Sequence, residues 1–158
     1  KQEEIEKEME KVKQQLDPAN QPSAQTAQEA NRDLTASVDV IVNEFPCRMM
    51  DLESPVVELP PIAGACVFRV EGKHMVSEGP LRGYESREGC TYVFMGNGWS
   101  LDEDDRVENR MIMSFPERDG VPHTTVQAII IEIEADAERA RSILESMDWN
   151  ALNALLYK

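Results

Sequence analysis

The sequence has few of the residues that usually carry catalysis or bind metals, since its 158 residues include two histidines and three cysteines. His74 and His123 stand alone, without the HExxH motif or the second His at helical spacing that a zinc site uses. The chain also lacks a GxSxG nucleophile elbow and a Walker phosphate loop. We therefore predict no catalytic residue, no metal site and no cofactor. The one enzymatic alternative left open is a small hydrolase with Cys47 or Cys90 as its nucleophile.

Long hydrophobic runs and basic charge are scarce as well. No stretch of about 18 or more apolar residues occurs, and the charged start KQEEIEKEMEKVK lacks the apolar core of a signal peptide. The 16 Lys and Arg residues against 30 Asp and Glu residues give a net charge of −14. Such a chain repels nucleic acid and anionic membrane surfaces. We expect a protein partner, no nucleic-acid binding and no membrane insertion by this chain.

The strongest structural signals lie back to back near the C-terminal end. In VQAIIIEIE, residues 126–134, apolar side chains fall on both parities, which predicts a central strand covered on both faces. From Asp136 onward the apolar residues recur every three or four positions, which predicts an amphipathic helix across the sheet. Asp148 is expected to cap a second short helix, with Trp149 as a core residue.

Earlier segments read as short strands, because apolar stretches alternate with Gly, Pro, Asn and Asp from residue 46 onward. The candidate strands are 56–59, 65–70, 81–86, 91–95 and 110–115. Asp119-Gly120 predicts a hairpin between the last of these and the central strand. We expect sequential strands to be antiparallel neighbours.

The N-terminal region is predicted to be helical. Its first sixteen residues carry a narrow apolar stripe suited to pairing with another helix, made of Ile5, Met9, Val12 and Leu16. Residues 17–30 have linker composition, and a second helix is predicted from Thr26 to at least Ser37. A strand over 38–45 is the alternative, because the run from Val38 to Val42 is rich in β-branched residues.

Together these patterns predict an α+β fold. Residues 1–45 form a helical arm and linker, and residues 46–158 form a single globular domain. In that domain an antiparallel sheet of about five or six short strands is covered by the C-terminal helix.

Two long polar loops, 72–83 and 96–109, are the candidate interaction rim, because loops held by a rigid sheet often carry function. The rim residues are His74, Arg82, Trp99, Asp102, Glu103, Asp104 and Asp105.

Cys66 and Cys90 open two strands of similar pattern. By strand alternation Cys66, Phe68 and Val70 share one face, as do Cys90, Tyr92 and Phe94, so both sulfurs are expected to point into one layer. A disulfide between Cys66 and Cys90 is a candidate if the protein is exported, and two free core cysteines are the alternative.

These features favour a non-enzymatic protein-interaction domain. We expect it to be the soluble part of a tethered cell-envelope protein, such as a lipoprotein, held by an N-terminal stalk, and a periplasmic or envelope location is favoured over the cytoplasm. The alternative is a cytosolic acidic adaptor or inhibitor that occupies a basic surface on its partner.

Overall fold

The computed structural model describes residues 35–44, 46–78, 83–102, 109–116, 120–122 and 124–157. The chain divides into two units between Thr35 and Ala36, and all described strands and helices belong to the second unit. Their bounds are β1 Ser37–Val42, β2 Cys47–Met50, β3 Val57–Ile62, β4 Ala65–Glu78, β5 Glu85–Met95, β6 Ser100–Leu101, β7 Arg110–Ser114, β8 Ile129–Glu134, α1 Ala137–Ser146 and α2 Trp149–Leu155.

The eight described strands form one antiparallel sheet, in which seven strands follow the order β1-β8-β5-β4-β2-β7-β6 and β3 pairs with β4 outside this order. β4 is 14 residues long and organises the sheet. From Cys66 to Val76 one edge of β4 pairs with β5, while its other edge pairs with β3 near the start of β4 and with β2 near its end. β8 lies between β1 and β5, so it is the interior strand that its apolar residues predict.

A bulge in the β4–β5 pair changes which side chains share a face. Two residues of β4, Glu71 and Gly72, lie opposite the single residue Gly89 of β5. Gly89 has φ +65°, a conformation that glycine adopts without strain. Because the alternation of β5 shifts by one residue here, Arg87 faces the same side as Tyr92, and both side chains reach Glu132.

The sheet curls so that β7 approaches β5. In a flat sheet these strands would lie about 14 Å apart, with β4 and β2 between them. Yet the Trp99 ring packs 5.0 Å from Phe94 of β5 and 5.2 Å from Phe115, which follows β7. A Cβ on Gly96 would lie 3.0 Å from the Phe115 ring and 2.6 Å from Gln127 O, so a glycine is required at this approach.

Two apolar clusters lie on opposite faces of the curled sheet. The inner cluster includes Tyr92, Phe94, Met49 and Met113. The outer cluster joins the sheet to the helices through Ile131 and its neighbours.

The two helices begin where the sequence predicts. Asp136 accepts a hydrogen bond from Arg139 N–H and caps α1, and Asp148 does the same for α2 through Ala151 N–H. Ala140 and Leu144 of α1 are buried against the sheet, so the predicted covering helix is confirmed.

The predicted fold class is wrong in its proportions and at its N-terminal end. The described residues form eight strands, two of them long, and two short helices that both lie at the C-terminal end. The helix predicted to reach Ser37 is replaced by β1, because the β-branched run from Val38 to Val42 favours a strand. Residues 1–34 of the predicted helical arm, including Ile5, Met9, Val12 and Leu16, lie outside the described residues.

Two loop predictions are also wrong. Residues 72–78 were expected in a polar loop but continue β4, where His74 and Val76 are buried on alternate positions. The polar residues of this segment are typical of a loop, so the alternation of its buried side chains was not recognised in the sequence. The hairpin predicted at Asp119-Gly120 does not join neighbouring strands, since β7 pairs with β2 and β6 whereas β8 pairs with β1 and β5.

Candidate functional site

The three described members of the predicted rim, His74, Trp99 and Asp102, do not share one exposed surface. His74 lies in β4 and is 2% exposed, and Trp99 packs on the inner cluster and donates its indole N–H to Met95 O. Asp102 is exposed just beyond β6. Arg82, Glu103, Asp104 and Asp105 lie outside the described residues.

Cys66 and Cys90 share the inner face, as predicted, but the strand register separates them. Cys66 lies opposite Phe94, and Cys90 lies opposite Val70. Because the strands are antiparallel, the two cysteines lie four positions apart along the ladder, a separation of about 13 Å. A disulfide can span a Cα separation of no more than roughly 7 Å, so this pair is too far apart. All three cysteines are free. The cysteines thus give no support to an exported protein.

A buried chain of polar side chains crosses the inner face. His74 Nε2 lies 2.6 Å from Tyr92 Oη, and the Tyr92 hydroxyl lies 3.3 Å from Glu132 Oε1. His74 Nδ1 lies 3.0 Å from Gly72 O. Because His74, Tyr92 and Glu132 are at most 2% exposed, this chain stabilises the core and is closed to a substrate.

This series of buried polar side chains leads through Glu132 to Arg87, and the Arg87 guanidinium contacts four carboxylates. We call Arg87 with Asp39, Glu85, Glu132 and Glu134 the Arg87 cluster. The closest contacts are 2.7 Å to Glu85 and 2.8 Å to Glu132, followed by 3.7 Å to Asp39 and 3.9 Å to Glu134. Burial alone would lower the pKa of Arg87, but attraction to the carboxylates outweighs it and the pKa is raised. Four carboxylates and one guanidinium give the cluster a formal charge of −3.

The candidate thiol nucleophiles are buried. Cys47 and Cys90 are both 0% exposed. Burial and the nearby carboxylates of Glu132 and Glu134 raise the pKa of Cys90 to about 12, so this thiol keeps its proton at neutral pH. Burial likewise raises the pKa of Tyr92. Neither cysteine is placed to attack a substrate.

β1 presents an open edge and an apolar face together. Val38, Val40 and Val42 are 42%, 54% and 45% exposed, although their ladder neighbours Ile133, Ile131 and Ile129 are buried. Asn43 N–H donates to Ala128 O, so alternate residues of β1 direct their backbone groups toward β8. The three valines therefore direct theirs away from it. Within the described part of the chain, no strand pairs with this outer edge.

The other described edges are poorly suited to accept a strand. β3 contains Pro60 and Pro61, which lack a backbone N–H, and β6 has two residues. β1 has six residues and no proline.

A groove of about 630 Å³ lies between β3 and α1 on the outer face. Its walls include Leu59, Pro61, Leu144 and Trp149, with Arg141 at the side. The Trp149 indole N–H donates to Leu144 O and is therefore not available to a ligand.

Sequence reasoning missed the β1 edge as a site. The signal was present in SVDVIV, where valines at 38, 40 and 42 alternate with Asp39. The favoured prediction for the start of this segment is a helix, with a strand over residues 38–45 as the alternative, and neither prediction treats the segment as a binding site.

Comparisons with known proteins add no identification: no family model matches the chain, and no curated protein or solved structure matches it. Neither described helix combines the length and the apolar composition needed to cross a bilayer. Across the described ranges, no three His, Cys, Asp or Glu side chains are grouped to hold a metal ion.

Proposed function

We propose that this chain is a non-enzymatic protein-interaction domain that binds an extended segment of a protein partner along β1. The observation that carries the proposal is the coincidence, on Val38, Val40 and Val42, of outward backbone groups and exposed apolar side chains. An added strand would satisfy the backbone groups and cover the valines at once.

The buried state of the reactive side chains supports the non-enzymatic part. His74, Cys90 and Cys47 face the inner cluster and are closed to solvent. Because these side chains cannot reach a substrate, their burial favours a binding role over a catalytic one for this domain.

The cell-envelope setting stays a proposal that rests on the stalk-like composition of residues 1–30. The coding sequence upstream of Lys1 tests it: an export or lipid-attachment signal supports this setting, and a start codon at that point with no such signal contradicts it. The acidic-adaptor alternative has its own support in the formal charge of −3 at the Arg87 cluster beside β1.

The binding proposal is tested with a labelled eight-residue peptide that alternates Val and Ser, titrated by fluorescence anisotropy. Val40→Thr should weaken binding about fourfold, because one buried methyl group is worth about 0.8 kcal/mol. Val40→Pro should abolish binding, since it removes an outward N–H without breaking a bond to β8.

Val57→Thr is the matched control, because Val57 is a similarly exposed valine on the edge strand β3. It should leave the affinity unchanged. The urea denaturation midpoint of each variant shows whether it folds. If Val40→Pro does not fold, Val40→Thr still tests the proposal. Equal weakening by Val40→Thr and Val57→Thr, or no binding to the parent chain, contradicts the proposal.

A further inference from the structure

β1 shows different chemistry on its two faces. The valines face the outer side with the helices, whereas Asp39 faces the inner side, where it lies opposite Glu132 in the ladder. A strand added to β1 would continue both faces, because its side chains also alternate. Every second side chain of that strand would pack beside the three valines on the outer face. The other side chains would lie on the inner face, beside the positions of β1 that include Asp39.

The inner face of β1 is acidic where Asp39 joins the Arg87 cluster, and its other two inner positions are Ser37 and Ile41. Asp39 is 52% exposed, and it is one of the four carboxylates around Arg87. Its contact to the guanidinium is long, at 3.7 Å. One guanidinium faces four carboxylates, so Arg87 does not compensate the whole formal charge of the cluster. The Cβ atom of a residue directly opposite Asp39 on an added strand would lie about 5 Å from the Asp39 Cβ, which is within reach of a Lys or Arg side chain.

We infer that the partner segment alternates apolar residues with Lys or Arg, and that its basic side chains pair with Asp39 at the edge of the Arg87 cluster. This inference rests on the proposed function, since it names the chemistry of the strand that β1 accepts. The apolar side chains cover Val38, Val40 and Val42, and the cations offset the formal charge of −3.

A second copy of this chain fits the edge less well. Pairing β1 with β1 would cover the valines, but it would bring two clusters of formal charge −3 beside one another. Each copy also carries a net charge of −14. Repulsion between like charges therefore favours a basic partner over self-association.

The test compares three eight-residue peptides in which Val alternates with Lys, Ser or Glu, titrated against the full chain by anisotropy. At low ionic strength the Lys peptide should bind about three- to tenfold tighter than the Ser peptide, as expected for one or two exposed ion pairs, and the Glu peptide should bind weakest. The gap between Lys and Ser peptides should narrow as the ionic strength rises, because salt screens exposed charges.

Two charge-neutralising variants separate the cluster from the overall acidity of the chain. Asp39→Asn should reduce the preference for Lys over Ser at least twofold and leave the Ser peptide's affinity unchanged. Glu58→Gln, which removes one exposed charge on β3, should leave the preference unchanged.

Each contrary outcome has a distinct meaning. Equal affinity for the Lys and Ser peptides overturns the charge inference while the proposed function stands. Equal loss of preference in Asp39→Asn and Glu58→Gln also overturns it, because net charge alone then accounts for the effect. Binding of none of the peptides overturns the proposed function itself. Self-association in sedimentation that Val40→Thr disrupts makes a second copy the occupant and overturns the inference of a basic partner.

Discussion

At the scale of single residues, burial decides what the titratable groups of this protein can do. Tyr92 and His74 are close enough to hydrogen bond, and both are sealed in the inner cluster. Cys90 lies beside them and keeps its proton at neutral pH. The alternation of side chains along a strand places Cys66 and Cys90 on one face. It does not reveal which residues of the two strands lie opposite each other, so the distance between the two sulfurs could not be predicted from the sequence.

The raised pKa of Cys90 predicts a loss of stability at alkaline pH. The unfolded chain releases this proton near the ordinary value of 9.0, whereas the folded chain holds it to about 12. The unfolded state therefore binds fewer protons in this window, and the free energy of unfolding falls as pH rises through it. Cys90 should account for a loss of about 1.4 kcal/mol between pH 8 and 10.

Urea denaturation at both pH values measures this loss. Cys90→Ala should show a shallower fall than the parent chain, and Cys66→Ala, the control at a half-buried cysteine, should keep the full fall. Identical pH dependence in all three proteins would show that Cys90 titrates in the folded state as it does in the unfolded state.

Tyr92→Phe tests the buried chain of polar side chains. The hydroxyl is the partner of His74 Nε2, and its removal leaves that nitrogen unsatisfied in the core. The free energy of unfolding should fall by about 1 to 3 kcal/mol. Tyr157→Phe, at an exposed tyrosine, should change it by less than about 0.5 kcal/mol. A neutral effect at Tyr92 would mean that the hydroxyl contact contributes nothing to stability.

At the scale of elements, α1 follows from its sequence, and its packing can be tested by mutation. Leu144 is buried against the outer cluster, whereas Arg141 on the same helix is exposed. Leu144→Ala should cost about 2 to 5 kcal/mol of stability, and Arg141→Ala should cost less than about 0.5 kcal/mol. Thermal or urea unfolding measures both. Similar costs at the two positions would mean that the helix packs through another face.

Strong local patterns are what made some elements predictable. The helix α1 carries apolar residues at helical spacing, the strand β8 carries Ile129, Ile131 and Ile133 on one face, and Asp136 marks the boundary between them. The second half of β4 was missed because its alternation passes through Gly72, Lys73 and His74, whose polarity is typical of loops. The bulge at Gly89 depends on pairing with β5, which no local pattern encodes.

At the scale of the whole molecule, the strand order places β1 at an end of the curled sheet, where none of the described strands pairs with its outer edge. The β-strand alternation of SVDVIV was available in the sequence, but its position at the edge of the sheet was not. An edge exists only once the strand order is known, so the candidate binding surface could not be located from sequence periodicity alone. His74, which was predicted to lie in a loop of the rim, belongs to a paired strand for the related reason that pairing is not encoded locally.

Amide hydrogen exchange across β1, followed by NMR, tests the open edge most directly. In the free chain the outward N–H groups of Val38, Val40 and Val42 should exchange at least about tenfold faster than those of Asp39 and Ile41, which face β8. Addition of the peptide that alternates Val and Lys should slow the three valine amides and leave the other two unchanged. Valine amides that are already protected in the free chain, or that stay unprotected when the peptide is bound, would contradict the account.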